Sequence, residues 1–305
     1  MGLLHFSNFN IKIIEKESSE DFFSTSGKCI KTLMSDTHIL HKNPVCILAD
    51  PFLFEQSGVL YLFYEFQQGR YGRGEIRMRK TEDLEHWSDE ITILRENFHL
   101  SFPNVFEDHG TFYMIPETSN DGSIRLYKAL DRSLEHWSLY RTIINDGKAW
   151  SDSDIIFKDG KYYLFSCVFS QRSTRAHLFV ADSLDGDFTE HPCSPYSSDI
   201  SSARNAGRIF SHNGDLFRPA QDNTKGYGKQ MSIMRIEEIG PDTYKESIYR
   251  EHILDKSDSF YKRGGHQFCP LIFKGRTIIA TDGKQRNYNI WENIHGYRNH
   301  ICKRG

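Results

Sequence analysis

A short two-strand unit recurs along this 305-residue chain and limits what it can fold into. Asp50-Pro-Phe-Leu-Phe-Glu-Gln-Ser-Gly58 runs directly into Val59-Leu-Tyr-Leu-Phe-Tyr-Glu65: two aromatic and β-branched strands around a Ser-Gly break. The same frame returns at Phe102–Gly110 with Thr111–Glu117, and at Asp152–Gly160 with Lys161–Cys167. Weaker copies follow at Ala206–Gly214 with Asp215–Gln221, and at Gln267–Gly275 with Arg276–Asp282. The turn glycines Gly58, Gly110, Gly160, Gly214 and Gly275 are spaced by 52, 50, 54 and 61 residues.

Each of the first four copies is followed by a third strand pattern: Glu75–Arg79, Ser123–Tyr127, Ala176–Val180 and Gln230–Met234. A fourth, edge-like element is expected next, with its own signature. Thr81-Glu-Asp-Leu-Glu-His-Trp87 is echoed by Asp131-Arg-Ser-Leu-Glu-His-Trp137 and by Asp182-Ser-Leu-Asp-Gly-Asp-Phe188. Apolar spacing of two, with Gly or Asp turns between, excludes a helical repeat.

About four strands per unit, five units and a period near 50 describe an all-β, five-bladed β-propeller forming one domain over 1–305. Its repeats start near 50, 102, 152, 206 and 267, after a leading segment 1–48. A two-sheet sandwich accounts for strands but not for five spaced copies. The last unit runs short of strands after Asp282, so the strand pattern Phe9–Glu15 is expected to close the ring, sparing it free edges. Lys16–Gly27, polar apart from Phe22-Phe23, reads as a connection.

A net charge of -3 carries no electrostatic footprint for nucleic acid. Cys29, Cys46, Cys167, Cys193, Cys269 and Cys302 form no Cys-x-x-Cys pair. No basic leader with an apolar run is visible, and no stretch suits a membrane span. The expectation is a cytoplasmic protein with reduced thiols. Its oligomeric state is not legible.

In a propeller the first strand of each unit lines the axis, and the second returns antiparallel to the same face. One mouth should therefore gather the first residues Asp50, Phe102, Asp152, Ala206 and Gln267 with the returning residues Glu65, Glu117, Cys167, Gln221 and Asp282. Asp154, Arg204, Asn205, Arg208, Arg218, Asp222 and His266 should lie close by. Converging carboxylates, arginines and a histidine make a candidate binding or catalytic site, with carboxyl pKa values pushed apart by crowding. The plainer readings are that Asp50, before Pro51, forms a turn and that Glu65 and Glu117 accept loop hydrogen bonds. Glu85-His86 and Glu135-His136 are expected on solvated outer strands.

Ala49-Asp-Pro51 ahead of a hairpin, with Asp152 in the matching frame two units on, resembles the five-bladed superfamily of arabinanases, xylosidases, invertases and levansucrases. The resemblance implies a base or nucleophile role for Asp50 and an acid-tuning role for Asp152. That superfamily has a Glu general acid where this chain has Ala206. A closer resemblance rests on His99-Leu-Ser-Phe-Pro-Asn-Val-Phe-Glu107, Tyr113-Met-Ile-Pro-Glu-Thr118, Ala203-Arg-Asn-Ala-Gly-Arg208, Arg218-Pro-Ala-Gln-Asp222 and Tyr227-Gly228. These are similar to the propeller domain of glucosamine inositolphosphorylceramide transferases, from about Asp50 to Asp282. The plant members carry a separate glycosyltransferase domain, for which no counterpart is expected in these residues.

Three functions follow. In a transferase using an activated sugar, such as a nucleotide sugar, Asp50 is the base, and Arg204, Arg208 and Arg218 offset a phosphate leaving group. In a glycoside hydrolase, Glu117 or another carboxylate replaces the lost acid and Asp50 activates water. In a glycan-binding module, Tyr71, Tyr163 and Tyr227 are sugar platforms. A divalent cation held by Asp50, Asp152 and Asp154 is a further option.

Overall fold

A computed structural model describes residues 6–17, 19–35, 44–69, 71–170 and 173–287. Among the described residues the structure is all-β apart from two single-turn 3-10 helices. The first repeat is an antiparallel meander of Val45–Gln56, Val59–Gln68, Gly74–Thr81 and Ile91–Leu94. The second is built the same way from Ser101–Asp108, Thr111–Glu117, Ser123–Ala129 and Trp137–Asn145. The third runs through Trp150–Lys158, Lys161–Ser170, Ser173–Ala181 and the two-residue Thr189–Glu190. In the fourth the first strand is split into Arg204–Asn205 and Phe210–His212, ahead of Asp215–Asp222, Gln230–Ile239 and Tyr244–Arg250.

The fifth repeat draws on both ends of the chain. Phe268–Phe273 pairs with Arg276–Asn287, which pairs antiparallel with Phe6–Lys16 along that strand's whole length. Lys28–Leu33, not anticipated from sequence, lies outside Phe6–Lys16. A single parallel pair, Phe9 with Ile47, joins this unit to the first repeat. Ile11 and Ile13 are fully buried, which is what holds the N-terminal strand in this register. Phe22 and Phe23 in the connection pack on Phe210, His212 and Phe217 of the fourth repeat.

All five hairpin turns have positive φ at both central residues, from Ser57-Gly58 to Lys274-Gly275. That is the type I′ geometry whose twist matches antiparallel strands, and it explains the recurring glycine.

The Leu-Glu-His part of the signature forms a turn ahead of the fourth strand, which in the second repeat begins at Trp137. Leu84 and Leu134 adopt left-handed φ of 71° and 58° while their side chains are buried. Trp87 Nε1 and Trp137 Nε1 donate to the carbonyls of Leu84 and Leu134, at 3.1 and 2.8 Å. Glu85 and His86 are accordingly exposed, in a turn.

Aromatic side chains fill the space between sheets: Phe52 meets Phe102 edge to face at 4.7 Å, and both are fully buried. Each such side chain stabilises the fold by about 1.5–3 kcal/mol through area removed from water.

Candidate functional site

The first residue of each of the first three repeats sits in an irregularity of its strand. Register shifts fall between Ala49 and Phe52, between Ser101 and Asn104, and between Ser151 and Asp154. Within them Asp50, Phe102 and Asp152 have φ of 50°, 49° and 50°. Aspartate tolerates this left-handed conformation; phenylalanine rarely adopts it. A bulge of this kind re-aims a side chain and frees an amide. Those amides reach the preceding repeat: Asp50 N–H points to Asp282 Oδ2 (3.4 Å), Phe102 N–H to Asp50 Oδ2 (3.1 Å) and Asp152 N–H to Glu117 Oε2 (3.2 Å).

The returning residues come to the same place because Glu65 pairs with Ala49, Glu117 with Ser101 and Gln221 with Arg204. Asp152 is held by two side chains. Arg204 Nε donates to its Oδ2 at 2.5 Å, Arg204 Nη2 to its Oδ1 at 3.3 Å, and Gln221 Nε2 to Oδ2 at 2.8 Å. Arg204 Nη2 also reaches Glu117 Oε2 at 3.4 Å. Glu117 further accepts from Ser119 Oγ at 2.6 Å, so three donors besides Arg204's pairing with Asp152 define it as an acceptor: Ser119, the Asp152 amide and Arg204. Asn205 Nδ2 holds the Asp152 carbonyl at 2.7 Å.

Across the mouth, His266 Nδ1 is paired with Asp282 Oδ2 and stands 3.7 Å from Asp50 Oδ1. Asp282 Oδ1 also accepts from the His266 and Gln267 amides. His99, to which no role attached from sequence, donates from Nε2 to Glu65 Oε1 at 3.0 Å. Its Nδ1 accepts from Gly74 N–H at 2.9 Å, which sets the tautomer. His99 precedes Phe102 by three residues and opens the His99–Glu107 motif on which the family resemblance rests, neither of which assigned it a role.

Burial, then the charges of Glu65, Asp152 and Asp282, hold the Asp50 carboxyl well above its ordinary range against the pull of His266. Burial also pushes Asp152 up to about 7, with Arg204 opposing and Glu117 reinforcing. For His266 burial acts downward, yet Asp282 and Asp50 carry it up to about 9. At neutral pH its imidazolium therefore supplies the positive charge between two carboxylates.

Asp50, His266 and Asp282 bring one ligand atom each within 4.8 Å of one another. A divalent ion there would first have to displace the His266 proton. The grouping of Asp50, Asp152 and Asp154 expected from sequence does not form: Asp152 is committed to Arg204, and Asp154 to Asn104 Nδ2 and Ile209 N–H, both at 2.5 Å.

Several expected neighbours are used up inside the protein. Arg208 ties Asn104 Oδ1 (2.9 Å), the Leu53 carbonyl (3.2 Å) and the Val105 carbonyl together, so with Asp154 it joins four repeats. Arg218, 0% exposed, makes a two-pronged pair with Glu246 and also donates to Asn205 Oδ1 and the Ser202 carbonyl. Asp222 accepts from Thr224 N–H and Oγ1, as a turn former does. Tyr163 is buried, which removes it as a sugar platform, whereas Tyr71 is exposed.

Tyr227 stands over the mouth. Its ring lies 5.2 Å from the Arg204 guanidinium carbon and 5.2 Å, edge on, from His266, which stacks on Phe9 at 4.2 Å. The residue is 40% exposed. Burial, then Asp50, Asp152 and Glu65, raise the phenol well above its ordinary value, against Arg204.

A family 117 glycoside hydrolase from Zobellia galactanivorans superimposes with a TM-score of 0.55 at 15% identity, over 92% of this chain and 90% of that one. An α-L-arabinofuranosidase from Podospora anserina gives 0.57 at 10% identity, over 81% and 95%. At such identity the likeness shows the fold alone, a β-propeller-like one. Glucosamine inositolphosphorylceramide transferase 1 of Oryza sativa subsp. japonica is 34% identical over 210 residues, 67% of this chain and 28% of that protein. Its Arabidopsis thaliana counterpart is 33% identical over 210 residues, covering 67% and 27%. The chain thus spans under a third of the length of these relatives. Residues 5–265 match the family described as "Glucosamine inositolphosphorylceramide transferase 1, N-terminal", and the chain belongs to that family.

Proposed function

We propose that this chain is a carbohydrate-active protein of glycosyltransferase type, a single five-bladed propeller closed by its N-terminal strand, that acts on an activated sugar at the axial mouth. One observation carries the reading: Asp50 and Asp152 are aimed at one face from equivalent bulges, yet only Asp152 is saturated with donors. Asp50 Oδ2 accepts from Phe102 N–H, and Oδ1 stands 3.7 Å from His266 Nδ1.

Asp50 Oδ1 is therefore the base. A carboxylate with a raised pKa, once ionised, is a stronger base than an ordinary one. The acceptor hydroxyl passes its proton to Oδ1, and its oxygen bonds to the anomeric carbon. The bond from that carbon to the phosphate oxygen breaks, with the electron pair remaining on phosphate. Such a leaving group needs no proton, consistent with Ala206 and with a Glu117 committed as an acceptor. The names of the relatives support transfer of a sugar; the acceptor stays open.

Mass spectrometry of the full chain with nucleotide sugars and candidate acceptors tests this. Transfer that disappears in Asp50→Asn supports it. Undiminished transfer in that variant sinks the role of Asp50. Cleavage of oligosaccharides without transfer replaces the reading with a hydrolase, and binding without turnover with a glycan-binding module.

A further inference from the structure

The proposed phosphate leaving group has no partner among Arg204, Arg208 and Arg218, whose guanidinium groups are engaged with the protein. A different set of cations lies on the fourth and fifth repeats, with Lys284 beside the mouth. Lys284 Nζ donates to the Tyr227 carbonyl at 2.7 Å. Lys256 Nζ donates to the carbonyls of Lys229 and Tyr261, both at 3.0 Å, and Lys229 Nζ to that of Arg263 at 3.4 Å. Among the described residues none of the three has a carboxylate at ion-pair distance, unlike Lys12, Lys80, Lys148, Lys158, Lys161 and Lys245. Burial and then the charge of Lys229 hold Lys256 and Lys284 below the ordinary amine range, with Asp282 opposing on Lys284.

The cluster and the mouth share a wall. Lys284 Nζ is 5.6 Å from the centre of the Tyr227 ring, and the Arg204 guanidinium carbon is 5.2 Å from the same centre. The loop carrying Tyr227 lies this close because Gly228 has φ 64°, and a Cβ there would come within 3.1 Å of the Phe9 ring.

We propose that Lys229, Lys256 and Lys284 form a phosphate subsite beside the carboxylate mouth, so that the ligand is a phosphorylated sugar spanning Tyr227. The sugar ring lies against Asp50, Asp152 and Arg204, and the phosphate against the three ammonium groups, which bind it as point charges. This rests on the mouth being a sugar site. A mouth rich in carboxylates rejects phosphate by like charge, so the two halves of the ligand are sorted by sign.

Calorimetry on the full chain compares free hexoses with the same hexose 1-phosphates, nucleoside diphosphate hexoses, inorganic phosphate and phosphatidylinositol vesicles. The phosphorylated hexose is expected to bind about tenfold tighter than the free one, with the advantage shrinking as salt rises. Lys229→Gln and Lys284→Gln should narrow that ratio to about twofold or less. Lys229 is exposed, so its variant carries the test should Lys284→Gln fail to fold.

An unchanged ratio in folded Lys229→Gln/Lys284→Gln overturns the subsite while hexose binding stands. Lysine-dependent binding of inorganic phosphate with no gain from an attached hexose overturns the shared ligand. No binding of any hexose, free or phosphorylated, removes the sugar reading and the subsite with it. A preference for nucleoside diphosphate hexose or for the vesicle supports the subsite either way and identifies the phosphate's source.

Discussion

The amide of Phe102 donates to the carboxylate of Asp50 at 3.1 Å, and both residues hold left-handed backbone at the start of their repeats. A strained, fully buried phenylalanine thus fixes the orientation of the buried candidate base. Left-handed strain at a non-glycine residue costs on the order of 1–3 kcal/mol, offset here by the packing of Phe102 on Phe52.

Asp50→Asn keeps an oxygen for the Phe102 amide and removes a buried carboxyl crowded by Glu65, Asp152 and Asp282, so it should melt within a few degrees of wild type, a change of about 1 kcal/mol. Transfer activity should fall by about 100-fold or more, the contribution of a positioned base. In the wild type, activity should rise with pH through a limb above the ordinary carboxylate range, because the Asp50 pKa is raised. A limb near pH 4 would place the base elsewhere.

His266 titrates at about 9 in the folded protein, above its ordinary 6.5. Its pairing with Asp282 and Asp50 is fully present below pH 6.5 and is lost as pH rises through 9. Stability should therefore fall across that window, by on the order of 3 kcal/mol for a shift of this size at a fully enclosed group. Urea unfolding at pH 6 and pH 9.5 measures the slope, and His266→Gln should flatten it.

Arg204→Gln leaves Asp152 and Glu117 without their cation and should destabilise by about 3–5 kcal/mol, as breaking a buried pair does. Arg204→Lys restores charge but not the two-pronged geometry and should fall in between. Equal stabilities for the two variants in denaturant titration would show that charge without the two-pronged geometry contributes nothing, and a Lys variant as stable as wild type would show that charge alone matters.

Ile13→Ala removes a fully buried side chain from the strand that pairs with Arg276–Asn287 and should cost about 2–5 kcal/mol. Ile272→Ala, 60% exposed on the neighbouring strand, should change the midpoint little. Thermal melts that rank the two in the opposite order would contradict the pairing.

Much of the fold was legible because its instructions are local. Alternating apolar residues around a glycine at positive φ encode each hairpin, and all five sequence copies form such hairpins. The Leu-Glu-His-Trp signature misled for the same reason: Leu84 and Leu134 look like strand residues, and only their buried side chains on a left-handed backbone show a turn.

At the site, the chain's repeat frame singled out Asp50, Glu65, Glu117, Asp152, Gln221 and Asp282, since the strand period alone returns them to one face. Whether a charged group there is free or spent depends on partners far away in sequence. Arg208 reaches the Leu53 carbonyl 155 residues away, Asp50 N–H reaches Asp282 across 232, and Arg218 turns outward to Glu246. A guanidinium looks the same in sequence whether it faces a ligand or a buried glutamate. Which ions compensate one another is set by distance and burial, and only the tertiary structure decided those.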